Sequence, residues 1–246
     1  MASQYFSLHG NFYIVANDVY GTNCLFTSYG RSKYFIRIKC GITFTISGEF
    51  CSVLIHPHLK GIIYANIDTH SRQRYTSISV NDGKTFSAMT LESNQSECAN
   101  ENCFVKIHLP CNTKSNNYIP KEWILTFKGS YVMNDIIHSS GLVSFNGGKS
   151  WKIVPFDDES ALILNNGGIV FGVNKITNEI IYSFDEGQVY YHTSVYVEGE
   201  QILELLQNGH MQKEYAVIVS VPENEQFWTF THINFSNILS KTFLFK

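Results

Sequence analysis

Arginine side chains are the groups in this sequence best suited to hold an acidic ligand, because a planar guanidinium pairs with a carboxylate through two hydrogen bonds. All four arginines lie in the first third of the chain, at Arg31, Arg37, Arg72 and Arg74. A glycosidase that acts on an acidic sugar needs three such arginines from separate parts of its fold, with a tyrosine nucleophile and acidic partners. No arginine follows Arg74 in the sequence. The sequence therefore argues against that enzyme class.

An acidic run and a histidine pair are the other candidates for chemistry. Asp157, Asp158 and Glu159 form the only dense run of carboxylates, and they lie in a connector, where a solvated turn is the expected role. His56 and His58 are two residues apart and would share one face of a strand with no third ligand evident. Packing rather than metal binding is expected for them, and no cofactor is predicted.

The cysteines and two glycosylation sequons bear on the cellular compartment. Cys98 and Cys103 bracket a short polar stretch that is compatible with a disulfide loop in an oxidising compartment. Asn94 and Asn234 begin Asn-x-Ser triplets and are candidate glycosylation sites. These features predict an origin in the secretory pathway, in the Golgi and endosome lumen or outside the cell. The sequence leaves the pairing of four further cysteines open: Cys24, Cys40, Cys51 and Cys111.

Charge and hydropathy exclude several partners. The net charge of −3, from 18 Lys and Arg against 21 Asp and Glu, argues against a nucleic-acid or anionic-membrane surface. No apolar run approaches the roughly 18–20 residues that span a bilayer, so no membrane insertion by this chain is expected. Residues 1–10 lack the basic region and long apolar core of an ordinary secretory signal. That leaves a cytosolic chain, or a fragment whose signal lies upstream, as the alternatives.

Three copies of one eight-residue pattern show how such groups would be positioned. They are residues 79–86 (SVNDGKTF), 144–151 (SFNGGKSW) and 183–190 (SFDEGQVY), and each reads serine, acid or amide, glycine, aromatic. This is the pattern of the Asp-box, or BNR, hairpin. The amide or carboxylate accepts backbone N–H groups, Gly supplies a positive φ, and the aromatic packs between sheets. Structural roles are therefore predicted for Ser79, Asn81, Gly83, Phe86, Ser144, Asn146, Gly148, Trp151, Ser183, Asp185, Gly187 and Tyr190.

The rest of the chain is typical of an all-β protein. Short apolar or alternating runs recur between clusters of Gly, Asn and Asp, and 18 Phe and 14 Tyr suit strands. The first run begins at Phe12, and later runs include residues 34–38, 123–127 and 141–145. Residues 98–120 are expected to form a long loop inserted between blades. Grouped by the repeats, the runs form about five four-stranded units of the size of propeller blades. The sequence predicts a β-propeller with Asp-box hairpins, about five blades long, over residues 1–246 as one domain.

Several segments resemble the luminal propeller of sortilin-type receptors, the vacuolar protein sorting receptors. Residues 61–66 (GIIYAN) with 77–86 (SISVNDGKTF) look like one blade of that family, and 165–173 (NNGGIVFGV) with 181–187 (IYSFDEG) like another. Residues 96–109 (SECANENCFVKIHL) resemble its paired-cysteine loop, and 227–235 (FWTFTHINF) its final blade strand. The resemblance implies part of a ten-bladed ring, about the last half. The family's cysteine-rich modules, transmembrane span and sorting tail are missing from this sequence.

The resemblance also implies a function. It indicates a non-catalytic, ligand-binding piece of a sorting receptor, which binds polypeptide cargo during vesicle trafficking between Golgi and endosome or vacuole. Residues 25–31 (LFTSYGR) are similar to a strand and turn at which a family member captures a peptide carboxylate. Arg31, with Thr27 and Ser28 as hydrogen-bonding neighbours, is the candidate site. The alternative is an enzyme, since Asp boxes also occur in sialidases. A partial ring would further expose unpaired strand edges, a possible route to self-association.

Overall fold

The structure is a computed structural model that describes residues 2–30, 32–43, 50–68, 74–92, 103–111, 118–133, 136–156, 161–174, 177, 179–194, 200–207, 215–222 and 227–236. Strands dominate these residues, and a 3₁₀ turn at Asn165–Gly167 is the one helical element among them. The predicted all-β fold is confirmed. The chain divides into two compact units, Met1–Lys152 and Ile153–Lys246.

The first unit begins with two four-stranded antiparallel sheets. The first sheet contains β1 (Ala2–Leu8), β2 (Asn11–Asn17), β3 (Asn23–Tyr29) and β4 (Ile36–Cys40) in that order. The second sheet contains β6 (Val53–Ile55), β7 (Ile63–Asp68), β8 (Arg74–Ser79) and β9 (Ser87–Ala88), also in chain order. Strand order equal to chain order is the up-and-down arrangement of a propeller blade.

The third sheet is mixed. Its order is β10 (Thr90–Leu91), β15 (Ser150–Ile153), β14 (Ile136–Ser144), β13 (Leu125–Met133) and β11 (Val105–Ile107), and β10 and β15 are parallel. A separate two-stranded ladder joins β5 (Phe50–Cys51) to β12 (Leu109–Pro110).

The second unit holds the remaining two sheets. The fourth sheet contains β16 (Leu162–Leu164), β17 (Ile169–Asn174), β18 (Glu179–Ser183) and β19 (Tyr191–Ser194). The fifth contains β20 (Glu200–Gln207), β21 (Tyr215–Pro222) and β22 (Thr229–Asn234). The five main sheets agree with the predicted five blades of a β-propeller.

Each unit has an apolar core between the faces of two sheets. In the first unit Tyr13, Val15 and Leu25 of the first sheet pack with Ile63 and Ala65 of the second. In the second unit the core side chains of the fourth sheet pack with those of the fifth in the same way: Phe171 and Val173 with Leu205, Ala216 and Ile218. Alternating burial along β2 follows directly from the period-two pattern of its sequence, because successive side chains point to opposite faces.

Two disulfides tie neighbouring strands of the first unit. Cys24 and Cys40 bond across β3 and β4, where the two residues are directly paired. Cys51 and Cys111 bond beside the ladder of β5 and β12. Disulfides of this kind are typical of an oxidising lumenal or extracellular environment. Within the ranges given above, no helix is long and apolar enough to cross a membrane.

Candidate functional site

The three repeats form turns in which the polar side chains bond to their own loop. In the second repeat Ser144 Oγ donates to Asn146 Oδ1 at 2.9 Å and accepts the N–H of Gly148 at 2.9 Å. Asn146 Oδ1 also accepts the N–H of Ser150 at 3.0 Å. The corresponding residues are Ser79, Asn81, Gly83 and Thr85 in the first repeat and Ser183, Asp185, Gly187 and Val189 in the third. These atoms hold the turn and leave little capacity for a ligand.

Asp185 carries the one carboxylate at the acid or amide position. Burial alone would raise its pKa, but hydrogen bonds from Val189 N–H, the Ser183 hydroxyl and Gln188 N–H outweigh burial and hold the pKa below its ordinary value. The group is therefore a charged acceptor at neutral pH. A general acid needs the opposite shift, so Asp185 is unsuited to that role.

Glycine is required where each turn reverses. Gly83, Gly148 and Gly187 have φ of 83°, 86° and 74°, in the left-handed region that costs other residues strain. A Cβ on Gly148 would also lie 2.8 Å from Tyr64 Cε1. Tyr64 in turn donates its hydroxyl to the carbonyl of Gly147 at 3.1 Å, which fixes the second repeat against the second sheet.

The aromatic residues that end the repeats pack differently. Phe86 lies against the core of the first unit. Trp151 is 0% exposed, and its Nε1–H donates to the carbonyl of Gly148 at 3.1 Å. Tyr190 meets Phe156 edge to face, and its buried hydroxyl has no hydrogen-bond partner among the described residues. Burial, with a smaller contribution from Asp185, raises the pKa of Tyr190, so the phenol stays neutral.

Thr27 and Ser28, the predicted neighbours of the ligand carboxylate, are both buried on β3. Thr27 Oγ1 donates to the carbonyl of Phe12 at 3.1 Å, and Ser28 Oγ donates to the carbonyl of Ser32 at 2.9 Å. Both hydroxyl protons are therefore used within the first sheet. Arg31 lies outside the described residues, so its binding role stays a prediction.

The residues beside Arg31 form an exposed aromatic surface at one end of the first sheet. We define the aromatic connection as the described part of the link from β3 to β4, Tyr29–Gly30 and Ser32–Phe35. Tyr34 is 81% exposed, Phe35 46% and Tyr29 44%. Three aromatic rings in solvent within seven residues, interspersed with Lys33, make a surface typical of ligand contact.

Hydrogen bonds fix the backbone of this connection. Ser32 N–H donates to the carbonyl of Tyr29 at 3.1 Å, and Tyr34 N–H donates to Ser32 Oγ at 3.1 Å. Gly30 N–H donates to the carbonyl of Gly10 at 3.2 Å, which ties the connection to the turn between β1 and β2. A preorganised loop loses less conformational entropy when a ligand binds.

Tyr29 lies within electrostatic reach of the first repeat. Burial, then the negative charge of Asp82, raises the pKa of Tyr29. The hydroxyl is therefore a neutral donor at physiological pH. Asp82 also has a buried Oδ1 without a hydrogen-bond partner in the part of the chain that the structure describes. Asp82 places negative charge beside the aromatic connection, where it favours a ligand group with a polar N–H or positive charge.

His56 has both ring nitrogens occupied by backbone groups. Its Nδ1 accepts the N–H groups of His58 and Leu59 at 3.1 and 2.9 Å, and its Nε2 lies 2.9 Å from the carbonyl of Glu122. Only the neutral tautomer with a proton on Nε2 satisfies all three bonds. His56 is fully buried, so the structure gives it a packing role and leaves no nitrogen for a metal.

Acidification should destabilise the protein through His56. Burial lowers the pKa of His56, outweighing the opposing effect of the Glu122 carbonyl, whereas in the unfolded chain the pKa is about 6.5. The contribution is therefore complete above about pH 6.5 and is lost as pH falls below it, by at most about 1.4 kcal/mol per pH unit. We expect urea unfolding at several pH values to show that the free energy of unfolding falls less steeply with decreasing pH in His56→Gln than in wild type.

The control for this experiment is His232→Gln, which removes an exposed histidine of β22 and leaves His56 and the groups around it unchanged. The free energy of unfolding of this control should fall with decreasing pH as that of wild type does. Equal pH slopes in His56→Gln and wild type would contradict the assignment.

The remaining candidate residues do not assemble into a reactive site among those described. Arg74 Nε pairs with Asp68 Oδ1 at 2.8 Å on the surface, and Arg37 is exposed on β4. One group has metal-compatible spacing, Asp18, Cys24 and Cys40, but both sulfurs belong to a disulfide. Four predicted features lie outside the described residues: Arg72, Asn94, Cys98 and residues 157–159.

Two predicted modification sites are partly described. Cys103 is disulfide-bonded, and its predicted partner Cys98 lies outside the description. Asn234 is exposed on β22, where its Nδ2 donates to the Tyr215 hydroxyl at 3.1 Å. Glycosylation at this asparagine stays a prediction.

The aromatic connection was missed by sequence reasoning that centred on Arg31. A usable signal was present: Tyr29, Tyr34 and Phe35 flank a Gly-Arg-Ser-Lys stretch, and turn residues between aromatics place those rings in solvent. The run was instead assigned to a strand starting at Tyr34, because aromatic residues favour strands.

Comparisons with known proteins find similarity among solved structures alone. No protein-family model matches the sequence, and no curated protein matches it. Among solved structures, a GH74 enzyme from Niastella koreensis is 9% identical with a TM-score of 0.26, over 95% of this chain and 49% of that one. The BP39L lectin from Burkholderia pseudomallei is 10% identical with a TM-score of 0.36, over 95% of this chain and 66% of the lectin.

A third similar structure is YCF48 bound to D1 peptide, 8% identical with a TM-score of 0.33, over 94% of this chain and 70% of that one. The chain thus spans about half the length of the GH74 enzyme and 66% of the lectin. These neighbours are β-propeller proteins. None of the three is named as a sortilin-type receptor, and their low scores assign no function to this chain.

Proposed function

We propose that this chain is a non-catalytic binding protein that takes an extended polypeptide ligand at the aromatic connection of the first sheet. The observation that carries the proposal is the exposure of Tyr29, Tyr34 and Phe35 on a backbone fixed by hydrogen bonds. Rigid aromatic side chains give large contact area at low entropic cost, which is why they dominate protein recognition.

Arg31 would lie within the same connection, between Gly30 and Ser32. A guanidinium there would hold the carboxylate at the end of a peptide while the aromatic rings contact the residues before it. Thr27 and Ser28 would act indirectly, since their hydroxyls hold the hairpin. The resemblance to sortilin-type receptors favours the same function, and binding of cargo during vesicle trafficking would be the role of such a receptor.

A peptide-binding experiment tests this proposal. The probe is a pool of synthetic octapeptides with free carboxyl termini, enriched on the immobilised wild-type protein. We expect Tyr34→Ala with Phe35→Ala to weaken the enriched peptides by about 30-fold, since hot-spot aromatics contribute about 2 kcal/mol or more. The matched control is Tyr20→Ala, which is 86% exposed at the opposite end of the same sheet and should bind as wild type does.

Two results would count against specific parts of the proposal. If the pool yields no enriched peptide, or if the double variant and Tyr20→Ala bind equally well, the aromatic connection is not the binding surface. The carboxylate role of Arg31 is separate. It predicts that Arg31→Ala and amidation of the peptide each weaken binding and that combining them adds nothing more. Equal affinity in all four combinations would remove that role.

A further inference from the structure

One hydrogen bond recurs at the same end of the first three sheets. The turns that lead into β4, β9 and β15 each donate one N–H to the residues that lead into β2, β7 and β13. The pairs are Gly30 to the carbonyl of Gly10 at 3.2 Å, Asp82 to that of Gly61 at 3.0 Å and Gly147 to that of Trp123 at 2.9 Å. Trp123 therefore holds the position that Gly10 and Gly61 hold in the other two sheets.

Three successive carbonyl groups fix the turn that carries Trp123. The Lys121 carbonyl accepts the N–H of Ile124 at 3.1 Å, so that Glu122 and Trp123 form the middle of the turn. The Glu122 carbonyl lies 2.9 Å from Nε2 of the buried His56, and the Trp123 carbonyl accepts the N–H described above. The turn is thus held by its own sheet and by the residue that follows β6.

The side chain of Trp123 extends from this fixed turn into solvent. It is 49% exposed, and a ring of this size left in water gives up the free energy that its burial would supply. Glycine stands at the corresponding positions of the first and second sheets, so the same hydrogen bond forms without an aromatic residue. An exposed, preorganised tryptophan is instead typical of the anchors that dominate protein recognition.

A series of hydrogen bonds within the first unit joins this turn to the aromatic connection. Gly30, within the connection, bonds to Gly10 as described above, and the preceding His9 has its Nε2 2.8 Å from the carbonyl of His56. His56 in turn contacts the Glu122 carbonyl. Since packed sheets lie about 10 Å apart, two sheet spacings separate the two surfaces by about 20 Å. An extended chain covers that distance with about six residues, at about 3.3 Å each.

We infer that Trp123 is a second anchor for the same polypeptide ligand and contacts an apolar side chain about six residues from those at the aromatic connection. The inference rests on the proposed function, and it adds a specificity to it. The ligand is an extended segment with two apolar contact points at that spacing. A segment shorter than about six residues would reach one of the two surfaces only.

Binding of the enriched octapeptides tests this inference. We expect Trp123→Ala to weaken their binding by about 30-fold, the loss typical of a hot-spot tryptophan. Alanine substitution along the peptide should identify one apolar residue whose replacement weakens binding to wild type but has no further effect on binding to Trp123→Ala. The matched control is Trp228→Ala, which removes a tryptophan that is 65% exposed in the second unit and should bind as wild type does.

Fluorescence gives a second readout. In Trp228→Phe the remaining tryptophans are Trp123 and the buried Trp151, so bound peptide should protect Trp123 from quenching by acrylamide. Unchanged quenching at saturating peptide, or equal affinity of Trp123→Ala and wild type while Tyr34→Ala with Phe35→Ala loses affinity, would overturn the second anchor and leave the proposed function intact. Full affinity of that double variant would instead remove the proposed function, and the second anchor with it.

Discussion

Removal of the Cys51–Cys111 disulfide should lower the free energy of unfolding by about 4 kcal/mol. The two cysteines are 60 residues apart in sequence, and a cross-link that closes a long loop removes many conformations from the unfolded chain. In the chain-entropy account, a loop of this length corresponds to about 4 kcal/mol at 25 °C. Because the free energy of unfolding of a whole domain is only about 5–15 kcal/mol, the disulfide would supply a large part of the stability.

The other disulfide provides the matched control. Cys24 and Cys40 are 16 residues apart, for which the same account gives about 3 kcal/mol. Each pair has one buried cysteine, Cys24 or Cys51, and one that is more exposed, so replacement by Ala removes similar packing from both. Urea unfolding should therefore rank wild type, Cys24→Ala with Cys40→Ala, then Cys51→Ala with Cys111→Ala. The reverse order of the two variants would show that native packing, not loop length, governs these disulfides.

The pairing of these cysteines shows what the sequence could not provide. Cys24 meets Cys40 because β3 and β4 are neighbours, and Cys51 meets Cys111 because β5 and β12 form a ladder. The first contact is local, but the second joins segments separated by the whole second sheet. Only the tertiary arrangement could indicate it, and sequence spacing leaves all pairings of the four cysteines open.

The sheets were easier to predict than their edges. Local turn chemistry and period-two patterning are enough to place the central strands, such as β7, β17 and β21. β1 was missed because Ser3, Gln4 and Ser7 interrupt its apolar residues without a period-two pattern, so the first predicted run began at Phe12. β4 begins at Ile36 rather than Tyr34, since the N–H of Tyr34 donates to Ser32 Oγ within the turn instead of to β3.

Two further segments of the first unit differ from the prediction. The segment from Cys98 to Pro120 was expected to be a long loop, yet it contains β11 and β12. Only the ends of the hairpin β13–β14 were predicted, although nine residue pairs join its strands. Its distal part carries polar residues such as Lys128 and Ser139 among the apolar ones, and cross-strand pairing rather than local propensity holds it.

The local structure around the candidate site was predictable, but the burial of its side chains was not. The motif at residues 25–31 correctly indicated a strand followed by a turn. Which face of β3 packs on the core depends on its register with β2, and a shift of one residue would exchange the two faces. Alternation alone does not give the exposure here: Thr27 and Ser28 point to opposite faces yet are both buried, whereas Tyr29, on the same side as Thr27, is exposed at the end of β3.

Replacement of Trp151 by Ala should lower the free energy of unfolding by about 3–5 kcal/mol, the usual cost of truncating a buried Trp or Phe. The Trp151 ring is fully buried, lies 5.8 Å from the ring of Phe127, and closes the turn through its bond to Gly148. Its strand β15 also joins β14 to β10 in the third sheet. The loss therefore combines a large cavity with an unpaired carbonyl in the turn. Urea unfolding followed by circular dichroism measures it.

Two conservative variants separate these contributions. Trp151→Phe keeps an aromatic ring but removes the Nε1–H, so its free energy of unfolding should lie between those of wild type and Trp151→Ala. At the corresponding position of the third repeat, Tyr190→Phe removes a buried hydroxyl that lacks a partner among the described residues. Since an unsatisfied buried polar group is costly, that variant should be neutral or more stable by up to about 1 kcal/mol. If Trp151→Ala costs no more than Tyr190→Phe, the aromatic end of the repeat does not hold the third sheet together.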